Sequence, residues 1–496
     1  MKDSGDLKRA HEDSKSQLQA AEGIGDDRIS ALPDEILCHI LSLLIPLYSV
    51  RTTVLSKRWN NLWTSCITNL DFDMYDFRSS WHNYRIFVRF VNRVLALRDS
   101  SLDIRRFRVD WVDCEDFSII DRWIRAAIKA NVVELDVSFS VECSGEPYLV
   151  RPFEMPRSVF TSKSLVALKV KSDYLTYSLP TTGCYFPSLK FLHFSSGYNS
   201  DSASEENLFR SCPVLEELTI EGHHKEDVLN FNISAPELRM LTTIISEERH
   251  DEEFDESDED SGGEGSGEYR VEPCNFFIDA PKLENFCVAG EVMSKYILEN
   301  STSLVQAKVQ LQEFHEACAH RVAEFLDRIS SVRYMVLSAP DFKPCLPHVF
   351  SNLIKLELVF YNQSCWKWLA DVLNISPNLE YLVLDFAKIK SGGRDSLPDL
   401  ESFGDDFASI NMREGWDSFH PPEFLPSCLS SQLKTISIKG FKGTPNEIGV
   451  AVYLLIYGEV LNKVIVSCES CSSIRGAKEK ILSFVKGSKT CQVSFI

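Results

Sequence analysis

FPSLKFLHF at Phe186–Phe194, SCPVLEELTI at Ser211–Ile220 and ISPNLEYLVL at Ile375–Leu384 share one phrase. A proline is followed two residues later by leucine, and apolar residues stand three and five positions after that leucine. The same spacing can be followed from leading residues Ile104, Val132, Leu165, Leu189, Leu215, Leu238, Leu283, Leu304, Val332, Leu353, Leu379, Leu433 and Leu461. In a chain that is 44% hydrophobic the triplet alone recurs by chance, and one instance carries Thr243 in its third slot. Spacing and context carry the argument. Most intervals lie between 21 and 33 residues, near the leucine-rich-repeat range, and two are 45 and 54. The longer intervals hold the acidic run described below and a polar stretch from Lys390 to Pro426. Proline stands two residues ahead of the leading position at Pro187, Pro213, Pro236, Pro281 and Pro377, where composition alone predicts about 0.5 such cases. The pattern predicts an α/β solenoid: each unit supplies a short strand and a return helix or loop, and buries its apolar face only against its neighbours.

Around this array the composition is that of a soluble globular protein, with 25% charged residues in 496. The net charge of −20 is uneven, because twelve acids against Arg249 between Glu247 and Glu268 supply −11 of it. No basic stripe is present, which argues against nucleic acid as a partner. Fifteen cysteines, odd in number and scattered from Cys38 to Cys491, read as thiols of a reducing compartment, nucleus and/or cytoplasm. The opening MKDSGDLKRAHEDSKSQ has no apolar core of a secretory signal. The most apolar run, Ile448 to Gly458, spans 11 residues, about half a bilayer, so no membrane association is expected. The Asn-x-Ser/Thr triplets at Asn232, Asn300, Asn362 and Asn374 are then not expected to carry glycans.

Residues 1–25 read as a disordered tail. From Leu32, LPDEILCHILSLLIP places Ile36, Ile40 and Leu44 four apart, with Leu37 and Leu41 beside them, on one broad apolar face of a helix. Pro33 is expected in its first turn, Asp34 and Glu35 complement the dipole, and Pro46 is expected to end it. A second segment is expected from an N-cap at Ser49 through Val50 and Val54 into LSKRWNNLW, where Leu55, Trp59, Leu62 and Trp63 fall at helical spacing. A further helical stretch runs from Tyr84 to Leu97.

The string ISALPDEILCHILSLLIPLYSVRTTVLSKRWNNLW resembles an F-box in the form used by plant proteins, with its Leu-Pro start and Val-Leu-Ser-Lys-Arg-Trp ending. The repeat segments resemble the irregular leucine-rich repeats of plant F-box proteins and lack a strict asparagine ladder. LPSCLSSQLKTISIKGFKGTPNEIGVAVYLLIYGEVLNKVIVS resembles the FBD domain, with a strand at Leu433 to Ile438, a Gly440-Phe441-Lys442-Gly443 turn, a helix through Tyr453 and Leu454, and a strand at Val464 to Val466. The chain thus resembles the plant F-box/FBD/leucine-rich-repeat family. That resemblance implies a three-helix F-box at 26–72, an irregular leucine-rich-repeat horseshoe at 100–415 with an acidic disordered insert at 246–270, and an α+β FBD cap at 416–496. It implies docking on a Skp-type adaptor held by a cullin–RING ligase. Leu32, Pro33, Ile36, Leu37, Ile40 and Leu41 would meet the adaptor. Val50, Val54, Leu55, Trp59, Leu62 and Trp63 would divide between that interface and the module's own core. The departure is IPLY at Ile45 to Tyr48, where the family has a Pro-Thr-Lys type of turn.

Catalytic signals are absent from the sequence: there is no phosphate loop, nucleophile elbow or dinucleotide fingerprint. Cys468 and Cys471 form a single CxxC without the second pair that zinc needs. His315-Glu316 is followed by His320, one residue too far for HExxH. His223 and His224 are expected in a loop after a strand, and Ser257 sits in an acidic context suited to an acidophilic kinase. The implied role is a non-catalytic substrate receptor of a Skp–cullin–F-box ubiquitin ligase, without metal or cofactor, binding an unknown target protein. An adaptor-binding scaffold without ubiquitination output and a ligand-sensing repeat protein are the alternatives.

Overall fold

The computed structural model describes residues 29, 31–77, 83–112, 114, 116–140, 153–172, 175–176, 186–196, 209–224, 230–247, 274–290, 294–311, 319–338, 349–360, 369–386, 425–468 and 475–496. The expected tail at 1–25, Ser257 with the acidic stretch beyond Glu247, His315, Glu316, Asn362, Cys471 and the polar stretch up to Glu423 lie outside the described residues. The chain divides into two compact units, 1–109 and 110–496.

The first unit begins with helix α1 (Asp34–Ser42). Pro33 stands at its N-cap with φ −58° and ψ 155°, one place before the expected first turn. The helix closes at Ser42, short of Pro46, because Pro46 opens the next one: α2 (Pro46–Arg51) carries it at the first helical position, where its fixed φ fits and no N–H is required. Ser49 is therefore not an N-cap. It lies inside α2, fully buried, and its Oγ donates to Leu41 O at 3.2 Å, tying α2 to the end of α1. A 3₁₀ turn (Thr52–Val54) and the extended Ser56 divide the expected continuous segment before α3 (Lys57–Cys66). Strand β1 (Asn69–Asp73), helix α4 (Asn83–Leu97) and strand β2 (Arg106–Trp111), which reaches into the second unit, follow. Phe87, Val91 and Val94 of α4, at i, i+4 and i+7, are buried, and Phe72 meets Phe90 and Phe107 edge-on at 6.1 and 5.9 Å.

The second unit runs through α5 (Phe117–Lys129), β3 (Glu134–Phe139), β4 (Phe153–Glu154), β5 (Ala167–Lys171), β6 (Leu175–Thr176), β7 (Phe191–Ser196), β8 (Glu217–His224), β9 (Asn230–Ser234), β10 (Met240–Glu247), β11 (Asn275–Asp279), β12 (Asn285–Gly290), β13 (Lys295–Glu299) and β14 (Gln306–Leu311). It continues with α6 (Ala319–Arg328), β15 (Tyr334–Ser338), β16 (Lys355–Val359), α7 (Leu369–Asn374), β17 (Tyr381–Asp385), α8 (Ser427–Ser431), β18 (Thr435–Lys439), α9 (Pro445–Tyr457), β19 (Lys463–Val466), α10 (Arg475–Ser483) and β20 (Gln492–Phe495). One parallel sheet takes the order β3-β5-β7-β8-β10-β12-β14-β15-β16-β17-β18-β19-β20. His223 and His224 end strand β8, and Ser246 and Glu247 end β10, so these four belong to strands and not to the loop and insert expected there.

Each leading residue named above is buried, at most 7% exposed, and a strand starts two residues after it. The residue between them does the joining. Its carbonyl accepts two N–H groups from the next repeat, as at Lys190 O (Glu216 and Glu217), Glu216 O (Arg239 and Met240) and Arg239 O (Glu284 and Asn285), all between 2.8 and 3.1 Å. These bonds are the first rungs of the parallel ladder and satisfy the main-chain groups at the start of each strand. On its outer side Lys190 pairs with Glu216 at 2.8 Å and Arg239 with Glu284 at 3.0 Å, exposed ion pairs worth about 0–1 kcal/mol each. The 45- and 54-residue intervals are each one repeat, since β10 bonds β12 directly (Met240↔Asn285) and β17 bonds β18 (Tyr381↔Thr435).

The return path is not always the expected helix or loop. Strands β9, β11 and β13 form a second parallel sheet in which Phe231, Phe276 and Tyr296 stack at 4.7 and 5.0 Å, while Asn275 Nδ2 donates to Asn230 Oδ1 at 2.8 Å. This explains the polar third slot: Thr243 is fully buried, and its hydroxyl shares a 2.7 Å hydrogen bond with the Tyr296 hydroxyl. Tyr296→Phe is expected to destabilise the chain by about 1–3 kcal/mol by orphaning the Thr243 hydroxyl. The Tyr296→Phe, Thr243→Val double variant should recover most of the loss in denaturant unfolding.

From β18 onward the chain continues the same sheet. Its 11-residue apolar run is helix α9, in which Ile448 and Val450 through Leu455 are all buried, so hydrophobicity all round the helix reflects cover on every side. Thr444 Oγ1 accepts from Glu447 N at 3.4 Å and Glu447 Oε2 accepts from Thr444 N at 3.0 Å, a capping box written in the sequence as Thr-Pro-Asn-Glu. No helix among the described residues is long and apolar enough to cross a membrane.

Candidate functional site

Helix α1 carries two adjacent apolar rows. Leu37 and Leu41 are fully buried in the first unit, whereas Ile36, Ile40 and Leu43, at i, i+4 and i+7, are exposed, Leu43 by 73%. The second segment divides in the same way: Trp59, Leu62 and Trp63 are buried, and Val54 and Leu55 are exposed by 88% and 63%. Pro33 is exposed, and Leu32 and Val50 are half-buried. Tyr48, in the IPLY departure, is half-exposed with Arg51 against its ring at 5.5 Å. The unit therefore completes a core without Ile36, Ile40, Leu43, Val54 and Leu55.

Sequence reasoning quoted Arg58 without giving it a role. Its Nε donates to Asp34 Oδ1 at 2.7 Å and its Nη2 to the Leu32 carbonyl at 2.6 Å, so the Lys-Arg-Trp ending clamps the Leu-Pro start. A contact across 24 residues leaves no mark in local spacing. The unit holds no activated thiol at Cys66: burial first, then the Cys38 thiol beside it, pushes Cys66 up to about 12.

In the second unit the open face of the sheet presents alternate side chains. Tyr334, Lys355 and Tyr381 lie in one row, with Val336, Glu357 and the buried Val383 in the next. Lys439 Nζ reaches Glu357 Oε1 at 2.8 Å and Asp385 Oδ2 at 3.8 Å. Towards the other end Glu221 lies 3.1 Å from His193 Nε2 and 2.8 Å from Lys171 Nζ. The His193 imidazole above all, with Lys171, holds Glu221 down to about 2 against the burial that opposes it. Its folded value lies below its unfolded one, so its stabilisation is present above about pH 4.5 and is lost as pH falls towards 2. Glu221→Gln is thus expected to cost on the order of 1–2 kcal/mol at pH 7, with the gap to the native chain closing between pH 4.5 and 2.5 in chemical unfolding. Among the described residues no group of three or more His, Cys, Asp or Glu could hold a metal ion. Cys468 is half-buried, with its Sγ 3.6 Å from Ile496 O.

A helical module with an exposed apolar row and a parallel repeat sheet define a solenoid-like α/β protein with a separate helical unit. Comparison with known families agrees and is more specific. The family described as F-box domain matches residues 29–70, that described as FBD-associated F-box protein At5g56370, LRR repeats, matches 120–258, and FBD matches 420–466. An FBD-associated F-box protein of Arabidopsis thaliana, At5g50270, is 30% identical over 459 residues, covering 90% of this chain and 97% of its own length. The Arabidopsis thaliana F-box/FBD/LRR-repeat protein At5g56420 is 28% identical over 480 residues, covering 95% and 99%. The chain belongs to this plant family of F-box proteins with leucine-rich repeats and an FBD domain.

Proposed function

We propose that this chain is the target-recognition subunit of a Skp–cullin–F-box ubiquitin ligase, acting in the nucleus and/or cytoplasm. The observation that carries the reading is the solvent-facing row Ile36, Ile40 and Leu43 on an F-box whose core is already closed by Leu37, Leu41, Trp59, Leu62 and Trp63. Ile36, Ile40, Val54, Leu55 and Pro33 then meet the adaptor, with Leu32 and Val50 at the margin, and the buried residues hold the helices in place. The reading divides the chain into an F-box at 26–72, repeats at 100–415 and an FBD domain at 416–496, the last two binding a target protein.

No acid, base or nucleophile is asked of this chain. Tethering a target lysine near a charged conjugating enzyme replaces a bimolecular encounter by a local one, on the order of millimolar effective concentration for a short tether. The test is co-elution of the purified chain with a Skp-type adaptor on a sizing column. A stable complex is expected, and free adaptor beside free chain at micromolar concentration would overturn the proposal.

A further inference from the structure

Among the described residues, β20 has a neighbouring strand on one side only. Gln492 N and Ile496 N donate to Asn462 O and Val466 O of the preceding repeat, both at 2.9 Å. A parallel ladder alternates, so the N–H and C=O groups of Val493 and Phe495 point away from β19, where no described strand receives them. The core is open here too. In β19 the inward residues Val464 and Val466 are buried, but in β20 Val493 and Phe495 are half-exposed, and Ile496, next in the chain, is 66% exposed. Natural edges are blunted by charge, proline or a bulge, and Gln492–Phe495 has neither charge nor proline.

We propose that this edge receives an extended, acidic segment of a partner protein as an added strand. Unpaired main-chain groups along an edge are satisfied by another strand and not by a helix face. The acidic character follows from the surroundings: residues 475–496 carry five basic residues against Glu479, in a chain whose net charge is −20. Two of those lysines flank the strand. Lys478 Nζ lies 5.1 Å from the centre of the Phe495 ring, and Lys486 Nζ donates to Cys491 O at 3.0 Å. A second copy of this chain is disfavoured as occupant, because edge-to-edge pairing would set one lysine cluster against another. The inference stands apart from adaptor binding, which uses the other unit.

The probe is a fluorescein-labelled peptide of alternating valine and threonine with two glutamates at each end, titrated with the full chain by fluorescence anisotropy. A saturable micromolar Kd is expected, at least tenfold weaker for the lysine-flanked peptide and at least tenfold weaker when backbone N-methyl groups block one edge of the peptide but not the other. Val493→Pro, which removes an N–H that the sheet does not use, is expected to weaken binding at least tenfold with an unchanged circular dichroism spectrum. Should that variant fail to fold, the N-methylated peptides on the native chain decide the matter. Absence of saturation at millimolar peptide overturns the proposal. So does binding indifferent to methylation on either edge, which is charge attraction alone, and so does a concentration-dependent dimer of the native chain that the peptide does not dissociate.

Discussion

Ile36→Asp with Ile40→Asp is expected to abolish co-elution with a Skp-type adaptor, raising Kd at least about a hundredfold, while the free chain loses no more than about 2 kcal/mol of unfolding free energy. Both side chains are partly exposed, at 47% and 36%, so an aspartate there costs the free protein less than one at the buried Leu37 or Leu41. In a complex each would lose the roughly 1.5–3 kcal/mol of an apolar side chain taken out of water, and each carboxylate would be desolvated as well. The control lies one residue along the helix. Leu41→Ala should destabilise the chain by about 2–5 kcal/mol, because Leu41 is fully buried, and should weaken adaptor binding only as far as it unfolds the module. Equal loss of binding at equal stability in both variants would contradict the division of α1 into an outer and an inner row.

Gly290→Ala is expected to be among the most damaging single substitutions in the repeat sheet, at about 3–4 kcal/mol or more, read as lost soluble yield or a much lower midpoint in urea. Gly290 ends β12 with φ +126°, in a region that side chains rarely enter, and an added Cβ would lie 1.9 Å from the Ile245 carbonyl oxygen of β10. That oxygen belongs to the neighbouring strand, paired through Ile245↔Gly290, so relief requires the two strands to part. Gly476 offers the contrast: a Cβ there meets nothing within 4 Å, and Gly476→Ala in α10 should be neutral or slightly stabilising. A Gly290→Ala chain with native stability would mean that β10 and β12 yield more readily than their ladder implies.

Much of the repeat sheet was legible from spacing, and the reason lies in how a parallel ladder is made. Every repeat must bury a leading residue before its strand, so the apolar phrase recurs at each of them and marks each strand to within a residue or two. Tyr381–Asp385 and Thr435–Lys439 could be aligned across 54 residues for that reason. Ser49 and Pro46 were misread because both residue types start helices, and Pro46, three residues earlier, reached the first helical position before Ser49 could act as a cap. The strands β9, β11 and β13 were missed because five-residue stretches such as NFNIS and NFFID gain their stability from stacking on one another, a contact that no local period records.

The sequence by itself determined the class of fold and the positions of the strands that follow a leading residue, because both are set by a phrase repeated along the chain. Tertiary structure alone decided which half of an apolar helix faces water. Ile36 and Leu37 are neighbours of nearly equal hydrophobicity, and only the packing of Trp59, Leu62, Trp63 and Ser49 around α1 buries one and leaves the other exposed. The edge at β20 is of the same kind: Val493 and Phe495 alternate as in any inner strand, and only the sheet order shows that no described strand lies beyond them.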